Sequence, residues 1–594
     1  MRRRSFLKTG LSADGLAALG IGTKPLLAHI PPHNFDRYDF GSGPPVAERL
    51  YQGPFSANYS IVSTKACVSS QSRPDSVPVV PCAFSFFLGA VTVNFSTLFL
   101  LLLCVSTAFG QPNSSFYVST TGNDSNPGTQ TTPWRTIQHA ADSARAGSTV
   151  TVRGGIYEEL VSINSSGNAT DGYITFRSYP GETATLDAEH FAPSGRSGVL
   201  TIHNHSYVRI EGFEVRNFRT AEHRLSPLGI NVIGSGSHIE LLKNNVHHIE
   251  QNFDGRDAPG RGGNGFGIAV YGTDAKTPIS ALVIDGNEVH HLKTGSSESL
   301  VVNGNVTNFC ITHNVVHDNN NIGIDIIGFE RTAPEPAVDQ ARDGVVSGNL
   351  VYNITSRGNP AYRNDESSDA IYVDGGTRML IERNVIHDVD FGIELASEHQ
   401  NRATSYVTAR NNLIYHCHTA GVSIGGYAPE RGRTDHCTVV NNTLYENDTS
   451  GTGSGEFQMQ WNMADNIFAN NIVYAGPRCL ITLNKSQVDK NQPPAAIDHN
   501  LYYCASRAKT STWAGASSTL TGFDQYVEST GNDRHSRFLD PRFMDATAND
   551  FHLRSDSPAL AVGTTDGVPA GELDLEGSPR VQSGKVDIGC YQRQ

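Results

Sequence analysis

The residues of this chain best suited to chemistry are acidic side chains between Asp325 and Glu398. They sit in short segments where apolar and polar residues alternate: Ile324-Asp325-Ile326, Ile371-Tyr372-Val373-Asp374 and Ile393-Glu394-Leu395. In a β-strand successive side chains point to opposite faces. Isoleucine, valine and leucine therefore turn inward, while Asp325, Tyr372, Asp374 and Glu394 turn outward together. Two carboxylates across a glycosidic bond can divide its cleavage, one protonating the leaving oxygen and the other attacking or activating water. Asp374 and Glu394 are the expected pair, and Glu398 is the rival for either role. Asp325, Tyr372, His399, Arg402, Tyr427, Gln458, Gln460 and Trp461 are expected to bind the sugar or stack on it.

These segments are copies of one strand. The others read Gly267-Ile268-Ala269-Val270-Tyr271, Ser299-Leu300-Val301-Val302-Asn303, Gly421-Val422-Ser423-Ile424-Gly425, Glu456-Phe457-Gln458-Met459-Gln460 and Leu480-Ile481-Thr482-Leu483-Asn484. The second and fourth positions are apolar in every copy. If the copies stack ~4.8 Å apart, Asp374 and Glu394, two positions out of step, have Cα atoms ~8 Å apart. That spacing covers both retaining and inverting glycosidase geometry. Insertions at Phe329–Gly344, Thr355–Ser368 and Gln251–Gly265 lengthen neighbouring copies. If they share one side of the array, they build the walls of a groove.

A second motif sets the architecture. An Asn followed by x-apolar-His/Tyr recurs at Asn244, Asn287, Asn314, Asn349, Asn384, Asn412, Asn442, Asn471 and Asn500, with intervals of 43, 27, 35, 35, 28, 30, 29 and 29 residues. Such a period marks a solenoid. The units are too short for a helix and read as strands, which predicts an all-β parallel β-helix. The asparagines are expected at tight corners in the left-handed backbone region, with their amides stacked in a ladder. The His/Tyr column that follows is expected to stack on the outside.

Composition narrows the function. With 45 Lys+Arg against 59 Asp+Glu in 594 residues, the net charge is −14. Nucleic acid and anionic lipid are therefore excluded as main partners, since both need a basic face. Among six cysteines after residue 110 no zinc spacing occurs; Cys417 and Cys437 fall on neighbouring coils, where a disulfide and two buried thiols are both open. Ser423 faces outward but lacks the Gly-x-Ser-x-Gly elbow of a nucleophilic serine. The first 110 residues are set apart. Arg3-Arg4-Ser5-Phe6-Leu7-Lys8 resembles a twin-arginine export signal, and residues 25–83 are Pro- and Ser-rich and expected to be disordered. Phe84–Phe109 carries no charge and is long enough for a signal peptide or membrane anchor. Each reading places the rest of the chain outside the cytoplasm, in a bacterial envelope or medium, as an expected monomer.

From about residue 115 the chain resembles the right-handed parallel β-helix proteins of the pectate-lyase-like superfamily. The resemblance rests on Phe116-Tyr117-Val118-Ser119, Gly122-Asn123-Asp124, Pro133-Trp134-Arg135-Thr136-Ile137-Gln138 and Val150–Tyr157 at one end. At the other it rests on Asp574–Arg580 and Val586–Tyr591. It implies a short N-terminal capping helix near Ile137–Arg145, a β-helix over 111–545 and a closing segment over 546–594. It also implies a poly- or oligosaccharide partner. Glycoside hydrolysis, which requires no cofactor, is the first reading. The second is a lyase or epimerase acting on uronates, in which Asp325, Asp374 and Glu394 would hold Ca2+ and Arg402, His399 or Arg363 would stand near the substrate. The third is a glycan-binding surface protein without catalysis.

Overall fold

The computed structural model describes residues 114–254, 263–476, 481–483, 495–504, 513–514, 519–520, 522–569 and 571–593. The export-signal and anchor readings, Asn484 and part of the Gln251–Gly265 insertion lie outside these residues.

Each coil contributes one strand to each of three parallel sheets. In the coil that begins at Val306, Val306–Thr312 joins the first sheet, Val315–Asn319 the second and Ile324–Ile327 the third. Arg342–Ser347, Leu350–Ile354 and Asp369–Asp374 repeat the order one coil on. β-branched residues at alternate positions suit the pleat and fill the cylinder. One apolar cluster runs through the coils from Val118 to Tyr526. A helix, Ile137–Ser143, covers its N-terminal end with Ile137, Ala140 and Ala141 buried. Its free amides are satisfied by side chains: Thr136 Oγ1 accepts from His139 N at 3.1 Å, and the Glu159 carboxylate accepts from Ile137 N and Gln138 N at 2.8 and 2.9 Å. Among the described residues no helix is long and apolar enough to cross a membrane.

The Asn column lies at the corner between the first and second sheets, wholly buried. From Asn244 to Asn500 each Nδ2 donates to Oδ1 of the next asparagine at 2.9–3.3 Å. The same Oδ1 also accepts a backbone N–H, as Asn349 Oδ1 does from Asn314 N at 2.9 Å. The backbone expectation needs correction. The left-handed residue is the one before each ladder Asn: Lys243, Gly286, His313, Gly348, Arg383, Asn411, Asn441, Asn470 and His499. The preceding residue makes the turn, so its side chain points outward and varies. The ladder Asn is selected for an amide that closes hydrogen bonds inside the cylinder.

On the outside of the second sheet, His247, His290, His317, Tyr352, His387 and Tyr415 stack ring on ring at 4.8–5.1 Å, as the alternating motif predicts. The C-terminal segment folds back beside these later coils. Phe551 packs against Tyr415 and Tyr445, while Gly589 N donates to Asn470 O and Cys590 N to Thr443 Oγ1. Cys417 and Cys437 are free and buried, so the disulfide alternative falls: both point into packed core with their thiols pushed up by burial.

Candidate active site

The pairing register of the third sheet sets the outward residues in rows. Val301, Asp325, Tyr372, Glu394, Ser423 and Gln458 face one another strand by strand. Asp374 stands opposite Ala396, so Asp374 and Glu394 lie on adjacent strands two positions out of step. Their inward neighbours Ile371, Val373, Ile393 and Leu395 belong to the central core, whereas Tyr372 and Ala396 form a separate small cluster with Ile322. The phasing of these strands is therefore the one the alternation implies. Asp325, Tyr372, Asp374, Glu394, Glu398, Gln458 and Gln460 are nevertheless buried.

The insertions do not share one side. Residues 328–341 and 397–402 connect the third sheet to the first, while 355–368 and the described ends of the third insertion, 252–254 and 263–265, lie between the second sheet and the third. They flank the third sheet from opposite edges, because the solenoid has a corner at each edge and each tolerates extra residues. The first pair of loops reaches the carboxylates. Glu398 N donates to Asp374 Oδ1 at 2.8 Å, so Glu398 supports Asp374 through its main chain. Arg431 Nη1 donates to Glu398 O at 3.3 Å and lies 4.6 Å over the Tyr427 ring. The Arg402 guanidinium lies 4.9 Å over Phe329, which joins the two loops. Beneath them Gly375 N donates to Thr404 Oγ1 at 2.7 Å, and the hydroxyl bridges the carbonyls of Val373 and Ala396. Gly375 is left-handed, φ +82°, at the point where the chain turns out of the strand behind Asp374.

Glu394 is held from the other direction. Gln460 Nε2 donates to Glu394 Oε1 at 3.1 Å and to Ser423 Oγ at 2.8 Å. Ser423 Oγ donates to Gln458 Oε1 at 3.3 Å, and Gln458 Nε2 donates to Ser454 Oγ at 3.0 Å. Gln460 thus orients Glu394 directly, and Gln458 is joined to it through Ser423. Half-exposed Trp461 pairs through its main chain with Gly426, beside Tyr427.

Sequence reasoning missed Glu330. Its ligand oxygen, one from Asp374 and one nitrogen of His399 all lie within 4.8 Å of one another. Asn303 Nδ2 donates to Glu330 Oε2 at 2.9 Å, and Thr332 Oγ1 donates back to Asn303 Oδ1 at 2.7 Å. Glu330 sits in a nonrepeating insertion, and the only signal for it was polar Asn303 on an otherwise apolar strand. Asp325 stands two strands from Glu394 with Tyr372 between, and among the described residues Asp325, Asp374 and Glu394 do not form such a group. Ca2+ takes six to eight oxygen ligands. The set that does converge on Asp374 has only two carboxylates and includes an imidazole, which does not fit Ca2+.

Known proteins agree with this architecture. Residues 116–255 match a family model described as Pel9A-like, right handed beta helix region, and residues 228–444 and 339–492 match the right handed beta helix region. The chain belongs to the right-handed parallel β-helix proteins of the pectate-lyase-like superfamily. It is 37% identical over 448 residues to the uncharacterized protein YwoF of Bacillus subtilis (strain 168), covering 75% of this chain and 92% of that protein. Over 134 residues it is 32% identical to pectate lyase PEL9 of Emericella nidulans, covering 22% of this chain and 32% of the lyase. Among solved structures it is similar to the lacto-N-biosidase of Eubacterium ramulus, with 14% identity, a TM-score of 0.42, and 72% of this chain and 67% of that one covered.

Proposed function

We propose that this protein is a carbohydrate-active enzyme of the cell envelope or exterior. It cleaves glycosidic bonds of a poly- or oligosaccharide at the outer face of the third sheet, with Asp374 and Glu394 as the acid/base pair. The observation that carries this reading is the pair's placement: adjacent strands, the same outward face, and separate orienting donors, Glu398 N for Asp374 and Gln460 Nε2 for Glu394. Carboxylates fixed by different partners can take different protonation roles in one cycle. In the cleavage step one carboxyl gives its proton to the leaving glycosidic oxygen. The other attacks the anomeric carbon or takes a proton from the water that does. Tyr427 and Trp461, half-exposed beside the site, present ring faces for sugar stacking.

A second reading, elimination on a uronate, is favoured by the position of His399 beside Asp374 and Glu330. An imidazole there supplies a base for a C5 proton, a role no lysine of the third-sheet strands can take because they contain none. The product separates the readings. Incubation with neutral and uronate-containing oligosaccharides should yield new reducing ends without the ultraviolet band of an unsaturated uronate. That band appearing would replace hydrolysis with elimination. Binding without cleavage would leave a glycan-binding protein and remove the proposal.

A further inference from the structure

A different cluster, on the second sheet, carries its own chemistry. His247 and His290 are partners in the parallel register of Asn245–Gln251 and Glu288–His290. Each is followed by a second histidine, His248 or His291, in the left-handed region, φ +53° and +52°. That turn swings the second imidazole back onto the first, so Nδ1 of His247 and Nδ1 of His248 are 2.6 Å apart, and those of His290 and His291 2.7 Å. The two pairs lie one above the other, with stacked centroids 4.9 Å apart for His247–His290 and 5.7 Å for His248–His291.

The far nitrogens fix the tautomers. His247 Nε2 meets Glu214 Oε1 at 2.9 Å, and a carboxylate only accepts. His290 Nε2 meets Asn245 Oδ1 at 2.9 Å, and that amide is oriented by Nδ2 donating to Glu288 Oε2 at 3.2 Å. Both Nε2 atoms therefore carry hydrogen, and when the rings are neutral both Nδ1 lone pairs aim at the neighbouring imidazole. Bordering cations are each paired with a carboxylate: Arg216 with Asp187 and with the same Glu214 oxygen that meets His247, Arg219 with Glu189, and Lys293 with Glu250.

We propose that the pairs His247–His248 and His290–His291 are two stacked bidentate sites for a square-planar transition dication, Cu2+ or Ni2+. With metal–nitrogen bonds of about 2.0 Å, a right-angle bite separates the nitrogens by about 2.8 Å, close to the distances here, whereas a tetrahedral bite needs about 3.3 Å and suits Zn2+ less well. The Glu214–His247 contact is the carboxylate–histidine support that orients metal-bound imidazoles. On binding, each Nδ1–metal bond at His248 or His291 replaces an Nδ1–H bond. The proton moves to Nε2 of the same ring, so the charge of the imidazole is unchanged.

The test is titration of the full chain, stripped of metal with a chelator, with Cu2+ alone. It is followed by calorimetry and by the nitrogen hyperfine pattern in electron paramagnetic resonance. The control is the double variant His248→Asn with His291→Asn, because Asn217 and Asn353 already occupy the same left-handed position on other coils; circular dichroism checks its fold. The intact protein should show a two-nitrogen copper signal and a raised Tm. The double variant should lose at least tenfold in affinity and the corresponding stoichiometry, and Glu214→Gln should weaken binding about tenfold. Unchanged affinity and hyperfine pattern in the folded double variant, or no nitrogen-ligated copper in the intact protein, would overturn the assignment.

Discussion

Two polar columns run along this solenoid, one residue per coil, and both are withdrawn from solvent. In the Asn column every member is the same residue and every amide makes the same bond to the next coil. In the third-sheet column the members are Asp325, Tyr372, Glu394, Ser423 and Gln458, five different residues, and the hydrogen bonds of Glu394, Ser423 and Gln458 differ from one to the next. Repetition marks a group that serves the architecture, because each coil meets the same corner. Variation at a repeated position marks one that the architecture leaves to other demands. The same outer face says so within itself: its earlier strands carry Phe266, Ala269, Tyr271 and Val301 in an apolar cluster, and the carboxylates appear only on the middle coils.

The comparison breaks most visibly if the columns are exchanged in function. Asp374→Asn and Glu394→Gln should each lower turnover by about 10²–10⁴-fold while the Tm stays near that of the parent. A large loss of Tm with turnover per folded molecule intact would place these acids with the scaffold. Asn384→Ala should do the reverse. It removes a buried amide that donates to Asn412 and Val346 and accepts from Asn349, so urea unfolding should show a loss of about 3 kcal/mol with kcat unchanged at low temperature.

Glu456 sharpens the contrast, since a carboxylate there receives the N–H and Nδ2 of Asn447 at 2.8 and 2.6 Å, within the cylinder. Burial outweighs these donors and pushes its pKa up to about 8. A raised folded-state value means the stabilisation is complete below the unfolded value near 4.5 and is lost as pH rises through about 8. Stability should therefore fall by about 1 kcal/mol per pH unit across that window, and Glu456→Gln should flatten the slope in urea titrations. The smallest effect belongs to a positioning residue. Gln460→Ala should lower kcat about tenfold by releasing Glu394, a cost of about 1.4 kcal/mol, with little change in KM. An equal change in both would make Gln460 a substrate contact instead.

Legibility followed repetition. The coil, the inward and outward faces of the third sheet and the His/Tyr stack could be read from residue types because each recurs in register. Asp374, Glu394 and their two-position offset came with them. Features that occur once were harder. Glu330 lies in a nonrepeating loop, Glu398 meets Asp374 through its main chain, and which corner an insertion leaves depends on strand boundaries that alternation alone does not set. The left-handed residue was misplaced by one because Asn suits that conformation, while at this corner the turn falls to Lys243, Arg383 or His499.

The clasp made by the last fifty residues has a bearing on biogenesis. Ile472, Leu501, Leu553, Ala559 and Ile588 share one cluster, and Arg580, fully enclosed, donates to the carbonyls of Asp587 and Gly589. The flank of coils around Tyr415–Ile472 is thus sealed by chain that leaves the ribosome well after those coils. A polypeptide emerging N-terminus first carries that greasy flank bare until its tail arrives. Premature termination near residue 540 should consequently give a sticky, chaperone-dependent product rather than a slightly shorter soluble protein.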